Sequence, residues 1–168
     1  MKTFHLTLAL GAAVWLATGC ATKPVVLDTV GPSHVRWSPP GSRGYLKMYS
    51  ATETDQIGDN TYYYPHTSYR IFDPAGKLVK FVPNHIGNMD ETPAWVVLPT
   101  GKYLVKAQSD VYGWVTVPVI IAAGVTTTVH LQSTWSGPAT PLDHTLVRLP
   151  DGRPVGWNYD ASRVVARQ

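Results

Sequence analysis

Cys20 is the only cysteine in this 168-residue chain, and a thiolate is the strongest nucleophile a protein side chain supplies. One cysteine excludes a disulfide within the chain. Six histidines are the next reagents. Past the N-terminal segment they are His34, His66, His85, His130 and His144. None stands at i+2 or i+4 from another ligand type, so no closed set of metal ligands is legible. The one acid–base constellation is His85, Asp90 and Glu91 in a single loop, which would become a site only if His66 met it across the fold. His130 lies between Val129 and Leu131, and alternation predicts a solvated strand position for it. A G-x-S-x-G elbow, an H-E-x-x-H pair, a P-loop and a G-x-G-x-x-G turn are all missing from the sequence.

The other side chains with something to offer are aromatic. Thr61–Tyr69 reads "TYYYPHTSY", and rings with a polar rim suit sugars, peptides or protein surfaces. Tyr62, Tyr63, Tyr64 and His66 are therefore candidate contacts for an envelope protein or a glycan. Trp135 and Trp157 join them, because they fall outside the main run of strands. Trp95 and Trp114 fall within predicted strands, where packing in the core or against a sheet face is expected. Tyrosine capping of a strand edge is the structural alternative for Tyr62–Tyr64.

Composition narrows the function classes. A hydrophobic fraction of 44% against 15% charged suits a folded domain and not a disordered chain. Formal net charge is +3, scattered with no run of four Lys or Arg. Nucleic acid is not an expected partner, since its binders show a basic stripe or patch.

The N-terminus places the thiol in context. Lys2 is followed by the apolar run "LTLALGAAVWL" (Leu6 to Leu16) and the small residues Ala17, Thr18 and Gly19 before Cys20. This is secretory signal architecture, too short for a span of about 20 residues. Gly19 and Cys20 resemble the end of a bacterial lipobox, with Ala17 where leucine is usual. That resemblance implies that residues 1–19 are a lipoprotein signal peptide and that Cys20 is acylated as the mature N-terminus. Several acyl chains give stable anchoring where one does not. The membrane, reached through lipid on Cys20, is then a partner. Ala21 after the cysteine implies the periplasmic face of an outer membrane, or the cell surface. A soluble secreted protein is the alternative, since Ala17-Thr18-Gly19 also fits small-residue cleavage.

Positioning elements follow. Residues 20–43 read as the lipidated cysteine and a flexible tether, on the strength of "SPPGSRG" (Ser38 to Gly44). From 44 to 133 short apolar stretches alternate with turn signals. Leu46 and Met48 share one face of a strand. Asp73-Pro74-Ala75-Gly76 closes a hairpin between Tyr69–Phe72 and Lys77–Val82. Thr52–Asn60 and Pro83–Pro93 read as polar loops. Ala94–Gln108 is a strand, a Pro99-Thr100-Gly101 turn and a second strand. Val115, Val117, Val119 and Ile121 lie on one face of the next, and its Pro118 predicts an edge or a bulge. Residues 134–168 read as a linker and a C-terminal hairpin around Pro150-Asp151-Gly152. The expectation is all-β: an antiparallel Ig-like or transthyretin-like sandwich of about seven strands, with a closed barrel as the alternative.

Leu98, Pro99, Gly101, Tyr103, Val105, Ala107, Gly124, Thr126 and Thr127 resemble a carboxypeptidase-regulatory-like or PEGA-like module over Tyr45 to Gln132. Those modules share a Pro-x-Gly turn into a Tyr-x-Val-x-Ala strand and a later Gly-Thr-Thr-like turn. The resemblance implies a non-catalytic extracytoplasmic adaptor or binder, and it carries over no catalytic residue and no cofactor. The sequence reading is thus a lipid-anchored cell-envelope protein with a binding or scaffolding module. A carbohydrate-binding module with exposed Tyr and Trp, or an envelope hydrolase with a His/Asp/Glu loop site, is the alternative.

Overall fold

The computed structural model describes residues 24–33, 38–58, 61–85, 87, 89–137 and 144–160. The signal segment 1–19 and Cys20 lie outside them, as do 138–143 of the linker and the last eight residues. Among the described residues the chain is all-β, with thirteen strands and no helix. In chain order they are β1 (Val25–Val26), β2 (Gly31–Pro32), β3 (Arg43–Tyr49), β4 (Asp55–Ile57), β5 (Thr61–Tyr63), β6 (Tyr69–Phe72) and β7 (Leu78–Val82). β8 (Trp95–Pro99), β9 (Gly101–Ser109), β10 (Gly113–Ile121), β11 (Thr126–His130), β12 (His144–Arg148) and β13 (Pro154–Tyr159) follow.

They form four sheets, ordered β1-β10-β9-β6-β7, β11-β3-β8, β12-β13-β2 and β4-β5. Period-two alternation decides the core. Leu46 and Met48 of β3, Val96 and Leu98 of β8, Ile71 of β6, Val105 and Ala107 of β9, and Val115, Val117, Val119 and Ile121 of β10 are all buried in one cluster. The alternate residues of the same strands face outward. The β6–β7 hairpin closes as its turn residues predict: Asp73 N–H donates to Lys77 O, Lys77 N–H donates to Asp73 Oδ1, and Gly76 sits at φ 84°.

Two consecutive strand pairs are not hairpins. β8 joins β3 while β9 joins β10 and β6, so the Pro99–Gly101 turn carries the chain from one sheet to another. β10 and β11 separate in the same way, because β11 lies parallel to β3. The pairings β1–β10, β11–β3 and β13–β2 are parallel, against the antiparallel expectation, which the other six pairings follow. Thirteen strands in four sheets also replace the expected count of about seven. The polar loop after β3 contains the small β4–β5 hairpin.

Within the tether expected over 20–43, residues 25–32 belong instead to the folded sheets. Val25 and Val26 pair with Val115 and Thr116, and Val30 bridges Val119. Leu27 is 7% exposed and Val30 1%. Pro118 is not on an edge: β10 has neighbours on both sides. Its carbonyl accepts the Val30 N–H (2.9 Å), and a strand residue aims N and O to the same side. The missing N–H therefore faces the step between Leu27 and Val30, where the ladder skips, and no bond is lost.

The C-terminal hairpin docks. β13 pairs with β2, and Val147, Leu149 and Val155 enter the core cluster. Contact is backbone-close at two glycines. A Cβ on Gly156 would lie 2.8 Å from Val30 Cγ1 and 2.9 Å from Thr128 O. One on Gly31, at φ 111°, would lie 2.5 Å from Ile120 O.

Leu27→Ala should lower stability by about 2–3 kcal/mol, the cost of an incompletely refilled core site. Urea denaturation of the mature protein checks this. An unchanged midpoint would mean that the segment is a tether after all.

Candidate functional site

Four segments meet at one end of the core: Ser50–Ser68 after β3, Pro83–Ala94 before β8, the Asp110–Tyr112 turn between β9 and β10, and Leu131–Gly137 after β11. They are held by side chains of the kind that do chemistry elsewhere. The Asp110 carboxylate accepts from Thr52 N–H at Oδ1 (3.2 Å) and from Ser133 N–H at Oδ2 (2.6 Å), tying three segments together. Glu91 Oε1 accepts from Tyr64 N–H (2.9 Å). That bond fixes the β4–β5 hairpin to the loop that delivers β8. Asn84, with no exposed surface, donates to Met48 O (2.7 Å) and Ser50 Oγ (3.0 Å) and accepts from Ala94 N–H (3.0 Å). Ser50 Oγ donates to Thr67 O (2.7 Å). Satisfied buried networks of this kind rigidify loops.

His66 belongs to this network and is only 4% exposed. Its buried position follows from the Thr52–His66 bridge, which folds the loop back over Ser50. Nδ1 lies 2.7 Å from Ser50 O. A carbonyl only accepts, so Nδ1 carries the proton and Nε2 is the acceptor of the neutral ring. Burial lowers the pKa of His66; the Ser50 carbonyl and the charges of Asp110, Glu91 and Asp90 oppose that in part. His66 and Glu91 do share a cleft of about 420 Å³, together with Asp110. His85 lines a different depression, with Glu53, Arg70 and Trp114. The four-residue constellation His66, His85, Asp90 and Glu91 is therefore divided. The carboxylate that joins the cleft, Asp110, was not legible, because its partners lie 58 and 23 residues away. Among the described residues no three His, Cys, Asp or Glu side chains gather as metal ligands.

Beside the network stands a row of rings. Trp135 stacks on His130 (centroids 3.9 Å, planes 10° apart), His130 stacks on Tyr49 (4.4 Å, 9°), and Tyr49 meets His66 edge-on (5.5 Å, 85°). Alternation does point His130 away from the core. Trp135 then folds back to cover it, which corrects the solvated position expected for His130. Burial holds His130 at a pKa of about 4, with the nearby His66 and Lys47 charges adding to the effect. It is neutral at neutral pH.

The remaining candidates divide. Tyr62 and Tyr64 are 51% and 48% exposed, while Tyr63 is half-buried. Trp135 is spent in the stack, and Trp157 is half-buried within β13. Trp95 and Trp114 reverse expectation in part: they lie on outer sheet faces and are 59% and 49% exposed. The signal was present in the strand itself, since Val96 and Leu98 inside put Trp95 outside. Trp95 meets Tyr45 edge-on (5.9 Å, 76°), and Lys47 Nζ lies 5.4 Å from the Trp95 ring centre.

His130 binds more protons unfolded than folded, so stability should fall as pH drops from about 6.5 towards 4 and level off below. Thermal melts across that window check the sign. His130→Phe should keep the stack and flatten the acid limb. An unchanged limb in that variant would place the proton uptake elsewhere.

No protein-family model matches this chain, nor does any curated protein or solved structure, so the site is read from its own geometry and chemistry.

Proposed function

We propose that this chain is a lipid-anchored cell-envelope protein whose β-domain is a non-catalytic binding or scaffolding module for a protein partner. In this reading the five-stranded sheet and the β11-β3-β8 sheet are the two layers of an Ig-like or transthyretin-like sandwich, enlarged at both ends of the chain. The PEGA-like turn and strand residues Pro99, Gly101, Tyr103, Val105 and Ala107 support it. The lipobox-like Gly19-Cys20 supports anchoring in the envelope through acyl chains.

One observation carries the binding reading. The carboxylates at the loop end are committed to backbone N–H groups, while Tyr62 and Tyr64 near them, and Tyr45 and Trp95 on the β11-β3-β8 sheet, stand in solvent. Groups held as clamps are poor proton carriers, and exposed aromatic rings are the residues that dominate protein interfaces. β8 is also the outermost described strand of its sheet, so Trp95 and Val97 flank an edge on which an extended segment could pair. A sugar platform needs coplanar exposed rings. Tyr45 and Trp95 stand at 76° to one another, and the coplanar rings of the stack cover each other, which favours a protein over a glycan.

A pull-down from detergent-solubilised envelope tests the surface. Tyr62→Ala with Tyr64→Ala, and separately Trp95→Ala, should each lose partners that the unaltered protein retains; identical partner lists would remove this surface from the reading. Cys20→Ser should release the protein from sedimenting membranes. If it still sediments, with an unchanged N-terminal mass, acylation is wrong.

A further inference from the structure

The outer face of the five-stranded sheet carries exposed rings and cations in one continuous row. Register places Val26 beside Thr116, Thr116 beside Lys106, Lys106 beside Arg70 and Arg70 beside Phe81, one row across all five strands. Trp114 and Phe72 flank that row. Val26, Phe81 and Trp114 are 63%, 50% and 49% exposed. The cations lie along the rings: Arg70 Cζ is 5.6 Å from the Phe81 centroid and 5.9 Å from that of Trp114, and Lys106 Nζ is 5.7 Å from that of Phe72. The five strands contain Arg70, Lys80, Lys102 and Lys106 and no Asp or Glu. The nearest acidic side chains lie at the margins of this face: Glu53 lines a depression with Arg70, Phe81 and Trp114, and Asp28 and Asp73 stand in the turns after β1 and β6. Apolar rings with cations laid over them match a headgroup layer, where rings sit at the interface and cations reach phosphate.

The chain outside the structure brings that layer close. Val25 is already paired in β1, an outermost strand of this same sheet. Between Cys20 and Val25 stand only Ala21, Thr22, Lys23 and Pro24, and five Cα steps span at most about 18 Å. We propose that, with Cys20 acylated, this short leash lays the face bearing Val26, Trp114, Arg70, Phe81, Lys106 and Phe72 on the headgroups of the membrane that holds the anchor. The proposal rests on the lipid-anchor reading. The opposite sheet, with Trp95 and Tyr45, is thereby turned towards the partner.

The acylated sulfur is a thioether, so an introduced cysteine is the only thiol. The mature protein carrying Thr116→Cys, or Val97→Cys on the other sheet, is labelled with a fluorophore. Each is reconstituted in phosphatidylethanolamine/phosphatidylglycerol vesicles containing a lipid-borne quencher. The label at 116 should be quenched several-fold more than the label at 97, and the difference should shrink when Arg70→Glu and Lys106→Glu are added, with circular dichroism confirming the intact sheet. Equal quenching at both positions on protein of acylated mass overturns the proposal and leaves the anchor standing. So does a difference that charge reversal leaves unchanged, or one that vanishes on diluting the protein in the bilayer, the mark of a second copy on this face. An N-terminal peptide without acyl mass overturns the anchor, and this proposal with it.

Discussion

The architecture depends on the backbone of Val30 and Gly31. Val30 N–H donates to Pro118 O and Ile120 N–H donates to Val30 O, at 2.9 and 3.0 Å. One residue later Gly31 pairs with Asn158 of the last strand. Three parts of the chain far apart in sequence thus converge on two residues. The approach is close enough that a Cβ on Gly31 or Gly156 would overlap backbone or side-chain atoms. The C-terminal hairpin, marginal alone in water, acquires its order here, by contributing Val147, Leu149 and Val155 to the common core.

The same economy of polar groups shapes the loop end. A buried donor or acceptor left unpaired costs more than a made bond returns, so long irregular loops need partners for their backbone. Asp110, Glu91, Asn84, Ser50 and His66 supply them. Side chains that read as reagents in the sequence are thereby structural. What stands outward is aromatic: tyrosine on the β4–β5 hairpin, tryptophan on two sheet faces.

Strand faces were legible because their cause is local. Leu46 and Met48, Val105 and Ala107, and the four alternating residues of β10 all bury as alternation requires. The Asp73–Gly76 turn closes by bonds within five residues. Pro118 predicts an edge or a bulge; β10 has neighbours on both sides, and the missing donor meets the skip between Leu27 and Val30, which no local pattern announces. His130 was placed on the correct face, yet the ring that covers it comes from Trp135 beyond the strand. Short segments such as Val25–Val26 and Asp55–Ile57 carry too few residues for a periodic signal.

By itself the sequence determined that the described residues are all-β, which side of each long strand faces inward, and where the tight turns fall. These depend on residue type and neighbours a few positions away. Only the tertiary structure decided which sheet each strand joins, that β8 and β9 part company at Thr100, that residues 25–32 belong to the fold, and that His66 is buried. A β-strand leaves its hydrogen bonds unmade until another strand arrives, and alternation is the same whichever strand that is. The partner is chosen by the packing of the whole core, and the exposed and hidden functional groups follow from that choice.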